Sequence, residues 1–298
     1  MVEVVLIHTD DCVKGTQVIF SQFPSLFKSL KDKNVVIKPN FNTADPPPAS
    51  TDIRIIRELI DHLKSCEVKK ITVAERAGPV NTHETMREKG LFDLQQEIGG
   101  FDIVDLSSLP ESEWKLFQSS DSHWKNGFLY PKIYEDADAI IALPSLKTHQ
   151  YGGHFTLSLK LAVGLVPRDG HDYMRELHSS PHQRKLIAEI NQAYKPTIVI
   201  LDATKAFVEG GPDKGKLVHP HLVLASTDRI AIDAVGVAIL REHGTTPEVA
   251  NGPIFGQEQI ARAVELKLGV ETPSEITIRG LDKTSEQIAK RLQKQLLM

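Results

Sequence analysis

The amino-acid sequence predicts an α/β protein whose mostly parallel sheet carries helices on both faces. Short apolar runs rich in β-branched residues alternate with longer segments of helical periodicity along the 298 residues. These runs lack the polar–apolar alternation of a sheet with one wet face, so both faces are expected to be buried. We expect a single α/β unit over residues 1–298, or two interleaved lobes with a border near 143–146 or 196.

Each element follows from a local signal. The apolar runs predict strands at Val4–Ile7, Asn34–Lys38, Lys70–Ala74, Asp102–Val104, Ala137–Leu143, Thr197–Leu201, Leu222–Ala225 and Glu275–Ile278. The intervening periodic segments predict helices at Lys14–Leu30, Asp52–Lys64, Thr82–Lys89, Gln183–Tyr194, Arg229–Glu242, Gly256–Leu266 and Ser285–Leu297. Thr51 and Asp52 are typical helix-capping residues, and the prolines at 46–48 predict the loop before them.

Composition argues against several functional classes. A net charge of −4 and an aromatic content of 6% do not indicate a nucleic-acid-binding surface. The two cysteines, Cys12 and Cys66, are too few for a four-thiolate iron–sulfur cluster and indicate a reducing compartment. The first residues predict a strand rather than a signal peptide, and no run approaches the roughly 18 apolar residues of a membrane-spanning helix. We therefore expect a cytoplasmic protein without a membrane partner.

Polar residues follow two of the predicted strands. Lys38, Asn40 and Asn42 come at the end of the second strand, and Glu75 and Arg76 follow the third. Ligands of open α/β sheets bind beyond the carboxyl ends of the strands. We expect the lysine and the arginine to hold an anion, the asparagines to donate hydrogen bonds, and the glutamate to act as an acid, base or metal ligand. The alternatives are a structural turn and a local ion pair.

The segment 143–182 is the richest in chemically active side chains. Five of the 12 histidines lie between positions 149 and 182, where an even distribution would place about one or two. Lys147, a candidate anion-binding residue, follows an apolar strand. Lys160 lies in an apolar helical run, where burial would lower the pKa of the amine into a nucleophilic range. Catalytic roles are predicted for His149, His154, Lys160 and His178.

The same segment is a candidate metal site, because neutral histidine is a common metal ligand. The candidate ligands are His149, His154, His171 and His178. Their spacing matches no standard zinc motif, so surface histidines in a long loop are the alternative.

Further candidates follow along the chain. Gly210 and Gly211 would let the backbone approach a ligand closely, although Gly-Gly-Pro is also ordinary turn chemistry. Two carboxylates are less easily assigned to surface positions: Asp202, at a predicted strand end, and Asp233, in an apolar helix.

Several motifs, in order, resemble the family called domain of unknown function 362, over roughly residues 34–240. They are Val-Val-Ile-Lys-Pro-Asn (35–40), Thr-Val-Ala-Glu (72–75), Ala-Asp-Ala-Ile-Ile-Ala-Leu-Pro-Ser-Leu-Lys-Thr-His (137–149), Leu-Ser-Leu-Lys-Leu-Ala-Val-Gly (157–164), Gly-Gly-Pro-x-x-Gly (210–215) and Ala-Ser-Thr-Asp-Arg-Ile-Ala-Ile-Asp (225–233). Many members carry a ferredoxin-like segment, which implies a redox partner protein. This chain lacks the cysteines for that segment, so no iron–sulfur cluster is expected.

More distantly, the layout is similar to the lactate racemase family. That resemblance implies a nickel-pincer nucleotide, a lysine that carries it, and histidines that move protons or bind nickel. The order His149, Lys160, His178 is similar to that arrangement.

Together these features predict an enzyme that acts on a small carboxylate or phosphorylated molecule by acid–base chemistry, of the isomerase or racemase kind. The cofactor is open: a divalent metal, the nickel-type nucleotide or neither. The alternative is a non-catalytic carrier of a metal or cofactor that works with a redox partner.

Overall fold

The computed structural model describes residues 1–297, which form a mixed α/β fold. The strands are β1 (Val2–His8), β2 (Asn34–Pro39), β3 (Lys70–Glu75), β4 (Asp102–Asp105), β5 (Trp114–Phe117), β6 (Phe128–Pro131), β7 (Ala139–Leu143), β8 (Ser145–His149), β9 (His154–Thr156), β10 (Ile198–Gly210), β11 (Gly215–Val218), β12 (Leu222–Ser226) and β13 (Ile276–Gly280). The helices are α1 (Cys12–Phe20), α2 (Pro24–Lys28), α3 (Ile53–Ser65), α4 (Thr82–Glu88), α5 (Leu91–Ile98), α6 (Lys132–Glu135), α7 (Ser158–Leu161), α8 (Tyr173–Ser179), α9 (Gln183–Ile190), α10 (Arg229–Glu242), α11 (Pro247–Ala250), α12 (Glu258–Glu265) and α13 (Lys283–Leu296).

The main sheet has the strand order β13-β1-β12-β10-β7-β2-β3-β4. Along this path β12 alone runs antiparallel to its neighbours, β1 and β10. Only the short strand β11 and its turns separate β10 from β12, and so short a connection cannot provide the crossover that a parallel neighbour needs. The predicted mostly parallel α/β fold is thus confirmed, with one reversed strand that makes the sheet mixed.

Helices cover both faces of this sheet, as the sequence predicts. Val4 and Leu6 of β1 belong to a buried cluster with the apolar residues of α10, whereas Val5 belongs to another with those of α1 and α3. Successive side chains of a strand point to opposite faces, so this division places helices on either side. Within residues 1–297, no helix is both long and apolar enough to cross a membrane.

Two predicted elements differ most from the structure. The helix expected over Lys14–Leu30 is two helices, because Pro24 occupies the first turn of α2 and has no N–H to continue α1. The strand expected to end at Leu201 continues as β10 to Gly210, because its second half pairs with β8 and β11.

The β8–β9 hairpin brings the histidine-rich segment back over the sheet. β8 pairs with β10 through Asp202↔Ser145 and Phe207↔Lys147, and with β9 through Lys147↔Thr156 and His149↔His154. Helix α7 follows directly and continues as the 3₁₀ helix Ala162–Leu165. These elements lie beyond the carboxyl ends of β2 and β3, where the candidate site forms.

Candidate functional site

A small cavity of about 50 Å³ lies at the carboxyl ends of β2 and β3. Eight residues singled out from the sequence line it: Lys38, Asn40, Asn42, Glu75, Arg76, Lys147, His149 and Lys160. Thr156 and Gly164 also contribute to its wall. The lining contains three lysines and one arginine but a single carboxylate, so positive charge exceeds negative charge around the cavity.

Lys38 and Glu75 form a buried ion pair at the base of the cavity. Lys38 Nζ donates to Glu75 Oε1 at 2.6 Å, and both side chains are at most 2% exposed. The backbone N–H groups of Phe41 and Arg76 also donate to this carboxylate, at 3.0 and 2.7 Å. Burial lowers the pKa of Lys38, and the adjacent Glu75 opposes the shift. Glu75 is therefore committed to the pair and to the backbone.

Arg76 is held by backbone carbonyls rather than left free to clamp an anion. Its Nε donates to Val166 O at 3.0 Å, Nη1 to Ala77 O at 2.9 Å, and Nη2 to Val163 O. Burial lowers its pKa to about 10. The guanidinium thus fixes the chain after α7 and adds positive charge to the cavity, a role different from the direct clamp expected from the sequence.

Lys147 is fully buried on β8. Its Nζ donates to Pro48 O at 3.2 Å and to Ala49 O, both in the proline-rich loop after β2. Burial, together with the neighbouring Lys160, lowers its pKa to about 7. Lys147 therefore ties the loop to the hairpin, and its amine exchanges a proton near neutral pH.

Asn40 is also engaged by protein atoms. Its Nδ2 donates to Ser145 Oγ at 3.1 Å and to Ala49 O at 3.4 Å. Asn42 lies against Gly78, whose N–H donates to Asn42 O at 2.9 Å. A Cβ at Gly78 would lie 2.0 Å from Asn42 Oδ1, so this close approach requires glycine. The two asparagines therefore fix the loop after β2 as well as line the cavity.

Three polar groups at the cavity have no protein partner within residues 1–297. His149 Nδ1 and Thr156 Oγ1 are buried and make no hydrogen bond. Lys160 is partly buried, and its amine has no acceptor among the described side chains or carbonyls. Buried polar groups are normally paired, so the two buried unpaired groups on the wall that also holds Lys160 indicate a place for a polar ligand.

His149 and Lys160 are close neighbours. A Cβ at Gly153 would lie 2.8 Å from Lys160 Cε and 3.0 Å from His149 Nδ1, so both side chains pack around this glycine. Burial and then the charge of Lys160 hold the pKa of His149 well below its ordinary value, so the imidazole is neutral. Burial and the charge of Arg76 lower the pKa of Lys160 to about 8.

Asp233 and Asn191 fix the helix that carries Lys160. Asp233 is fully buried on α10 and accepts the N–H groups of Ser158 at 2.7 Å and Leu159 at 3.0 Å, which are orphan donors of the first turn of α7. Asn191 Nδ2 donates to Leu159 O at 2.9 Å. Burial raises the pKa of Asp233 to about 8, although the two N–H bonds oppose the shift.

The remaining candidates lie outside the cavity wall. His154 has a left-handed backbone (φ 60°) and lines a neighbouring depression with Glu248. His171 is exposed and stacks on Tyr173. His178 lies near enough to Lys160 for that charge to lower its pKa, after burial, and its Nδ1 is 3.2 Å from Gln183 Nε2.

The two glycines and Asp202 have local structural contacts. Gly211 packs its Cα against the hairpin, because a Cβ there would lie 2.1 Å from Thr148 O. Gly210 has φ 80°, as a turn requires. Asp202 Oδ1 accepts from the N–H and hydroxyl of Thr204, at 2.9 and 2.7 Å, and does not line the cavity.

The residues present do not fit the metal or nucleotide that the resemblance implies. Within residues 1–297, no three His, Cys, Asp or Glu side chains converge to hold a metal ion, and the four predicted histidines are not assembled into one group. The cavity of about 50 Å³ is also far smaller than the 300 Å³ or more, approximately, that a nucleotide-sized ligand fills.

The protein is therefore an open-sheet α/β protein with a small, cation-lined cavity beyond the ends of its strands. The chain belongs to the family described as Domain of unknown function (DUF362), which matches residues 35–238. The family predicted from the motifs is thereby confirmed.

Individual relatives give the following similarities. The chain is 29% identical over 248 residues to a protein of Synechocystis sp. named as thylakoid-associated, covering 82% of this chain and 74% of that protein. Two solved structures match 76% of this chain: a Thermotoga maritima protein (11% identity, TM-score 0.46) and the lactate racemase apoprotein of Thermoanaerobacterium thermosaccharolyticum (14% identity, TM-score 0.48). The chain spans 57% and 54% of their lengths. The cytoplasmic location expected from the sequence stays a prediction.

Proposed function

We propose that this protein is an enzyme that binds a small carboxylate in the strand-end cavity and moves a proton on the carbon next to it. The observation that carries the proposal is a cavity with excess positive charge whose wall holds two buried, unpaired polar atoms, His149 Nδ1 and Thr156 Oγ1, together with Lys160. A carboxylate supplies the acceptors and the negative charge that these groups lack.

The size of the cavity limits the substrate. A volume of about 50 Å³ holds on the order of three or four water molecules, which corresponds to an acid of about two to four carbons. Phosphorylated molecules with longer chains would need the wall to move. We therefore favour short carboxylates over phosphorylated sugars or nucleotides.

The proposed chemistry assigns one role to each free group. The neutral imidazole of His149 accepts the proton at Nδ1, and the ammonium of Lys160 stabilises the charge that develops on the carboxylate side. Thr156 Oγ1 donates to the same developing charge. Binding of an anion offsets the positive charge of Lys160, which is one cause of the depressed pKa of His149, and so makes the imidazole a better base.

Binding is tested by calorimetric titration with acetate, glycolate and lactate, with lactamide as the uncharged control. Lys160→Met should weaken lactate binding by roughly tenfold or more, since a charge-assisted hydrogen bond contributes about 1.5–3 kcal/mol. Lys69→Met, on an exposed lysine remote from the cavity, is the matched control and should bind as the wild type does. Equal affinity of lactate and lactamide would contradict the proposal.

Catalysis is tested separately, by NMR detection of deuterium exchange at the α-carbon of lactate in deuterated water. Wild-type protein should catalyse the exchange. The His149→Gln variant should still bind lactate but should no longer catalyse the exchange. Binding without exchange by the wild type would support the alternative, a non-catalytic carrier.

A further inference from the structure

The three lysines of the cavity differ in what their amines contact. Lys38 Nζ donates to Glu75 Oε1 and to Pro39 O, at 2.6 and 2.9 Å. Lys147 Nζ donates to two carbonyls of the proline-rich loop. Lys160 alone among them has no acceptor within residues 1–297, although it lines the cavity. An amine with no partner is free to contact a ligand in either form: the ammonium through its charge, or the neutral amine through its lone pair.

The surroundings of Lys160 favour the neutral amine. Arg76 places positive charge nearby, and no carboxylate within residues 1–297 pairs with Lys160. With a pKa of about 8, roughly a tenth of the amine is neutral at pH 7. A neutral lysine beside a cation, in surroundings that burial makes poor in water, is an activated nucleophile toward carbonyl carbon.

We propose that Lys160 Nζ forms a covalent imine with a small 2-oxo acid bound in the cavity. This inference rests on the proposed function, because the carboxylate of the acid binds in the same cavity, where the other cationic residues of the wall supply the positive charge. It goes beyond proton transfer by naming the substrate class and a covalent intermediate. The carboxylate binds on the side of the cationic groups, and the adjacent ketone or aldehyde carbon faces the free amine.

The reaction is balanced within the site. The lone pair of Nζ forms the C–N bond, and the π electrons of the carbonyl move to its oxygen. Nitrogen gives up two protons in turn. His149 Nδ1 takes the first and returns it to that oxygen, which becomes a hydroxyl, and then carries the second to the hydroxyl, which leaves as water when the C=N bond forms. Amine and carbonyl thus give imine and one water, with no oxidant or reductant. The imine then withdraws electrons from the neighbouring carbon, which eases loss of its proton.

The geometry supports this arrangement at two points. Lys160 Cε and His149 Nδ1 lie 2.8 and 3.0 Å from the point where a Cβ at Gly153 would stand, so the imidazole and the lysine side chain are neighbours. Asp233 and Asn191 bind the N–H and carbonyl groups of α7 directly before and at Leu159, so the attachment point of the lysine is fixed.

The test is reductive trapping. The full chain is incubated with pyruvate or glyoxylate and sodium cyanoborohydride, and the reduced adduct is located by intact-mass and peptide mass spectrometry. We expect one adduct per chain, at Lys160, formed at least tenfold faster than at exposed lysines and slowed by an excess of lactate. Lys160→Arg keeps a cation and should abolish this adduct, and Lys69→Arg should retain it.

The outcomes separate this inference from the proposed function. Lactate binding without trapping of pyruvate overturns the imine and leaves the carboxylate site standing. Absence of both lactate binding and trapping overturns both. Trapping at the same rate in Lys160→Arg places the chemistry elsewhere and overturns the inference. Thermal unfolding of Lys160→Arg, followed by circular dichroism, identifies any loss that comes from misfolding, and Lys160→Met then provides the second variant.

Discussion

Replacing Asp233 by asparagine tests how the structure holds Lys160 in place. The two carboxylate oxygens of Asp233 each accept one N–H of α7, at 2.7 and 3.0 Å. In Asp233→Asn one oxygen becomes an NH₂ group, which cannot accept. One buried N–H therefore loses its partner, at a cost of about 1–3 kcal/mol. We expect the free energy of unfolding to fall by that amount and the affinity for lactate to weaken, because the start of α7 shifts.

The difference in the free energy of unfolding between the wild type and Asp233→Asn should change with pH in a definite direction. Burial raises the pKa of Asp233 to about 8 in the folded protein, above its unfolded value near 4. A raised acid contributes stability that is complete below the unfolded pKa and is lost as pH rises through the folded pKa. The wild type should therefore lose stability between about pH 4 and pH 8. Asp233→Asn has no acid at this position and so lacks this loss. The difference in the free energy of unfolding between the two proteins should therefore become smaller as pH rises.

Urea unfolding at several pH values, with lactate titration of the same samples, measures both effects. Asp11→Asn is the matched control, because a single oxygen, Oδ1, accepts both N–H groups of α1, from Val13 and Lys14. Asparagine keeps that oxygen, so this control should change stability by less than about 0.5 kcal/mol. Asp233→Asn with wild-type stability and wild-type lactate affinity would refute the idea that Asp233 positions α7.

Three further predictions concern the cavity wall. Arg76→Lys should lower the free energy of unfolding by about 2–4 kcal/mol in urea titrations, because lysine cannot bond the carbonyls that the guanidinium holds; a smaller change than 0.5 kcal/mol, approximately, would count against that bonding role. Lactate affinity measured by calorimetry should decline as pH rises through about 8, where Lys160 loses its charge, and a flat profile would argue against contact with the ammonium. Gly153→Ala should weaken lactate binding with little change in the unfolding transition, because its Cβ would displace the Lys160 and His149 side chains; unchanged affinity would show that their present positions do not matter.

The fold and part of the site could be predicted because the signals are local. Buried strands read as continuous apolar runs, and strand ends collect at one edge of a parallel sheet. That rule alone brings Lys38, Glu75 and Arg76 together, although they come from different βα units. The role of Arg76 could not be predicted in the same way, since its carbonyl partners lie 87 and 90 residues further along the chain.

The rest of the site depends on pairings that leave little trace in the sequence. Thr156 reaches the cavity because β9 is the return strand of a hairpin, and its three residues are too short to show a periodic pattern. Asp233 meets α7 across 75 residues, and Asn191 meets it across 32. The sequence does mark Asp233 as a carboxylate in an apolar helix. An acid that is buried there, with no partner nearby in the sequence, indicates a partner from another part of the chain, and this was the available signal for the contact with α7.

The histidine-rich segment shows the limit of composition as a guide. A local excess of histidine predicted one metal or catalytic cluster, yet among the histidines of residues 1–297 only His149 lines the cavity. His171 lies on the surface against Tyr173, and His154 faces a different depression. The hairpin reverses the chain after His149, and each histidine then follows its own element. The spacing of the histidines in the sequence therefore could not predict which of them lie close together, because they do not share one helix or strand.

The central claim is that a small carboxylate occupies the strand-end cavity in contact with Lys160, His149 and Thr156. A crystal structure of the full chain grown with saturating pyruvate tests it most directly. We predict electron density in the cavity within hydrogen-bonding distance of Thr156 Oγ1 and His149 Nδ1, and next to or continuous with Lys160 Nζ. A cavity that holds only water at saturating pyruvate, or pyruvate bound elsewhere on the protein, would contradict the account.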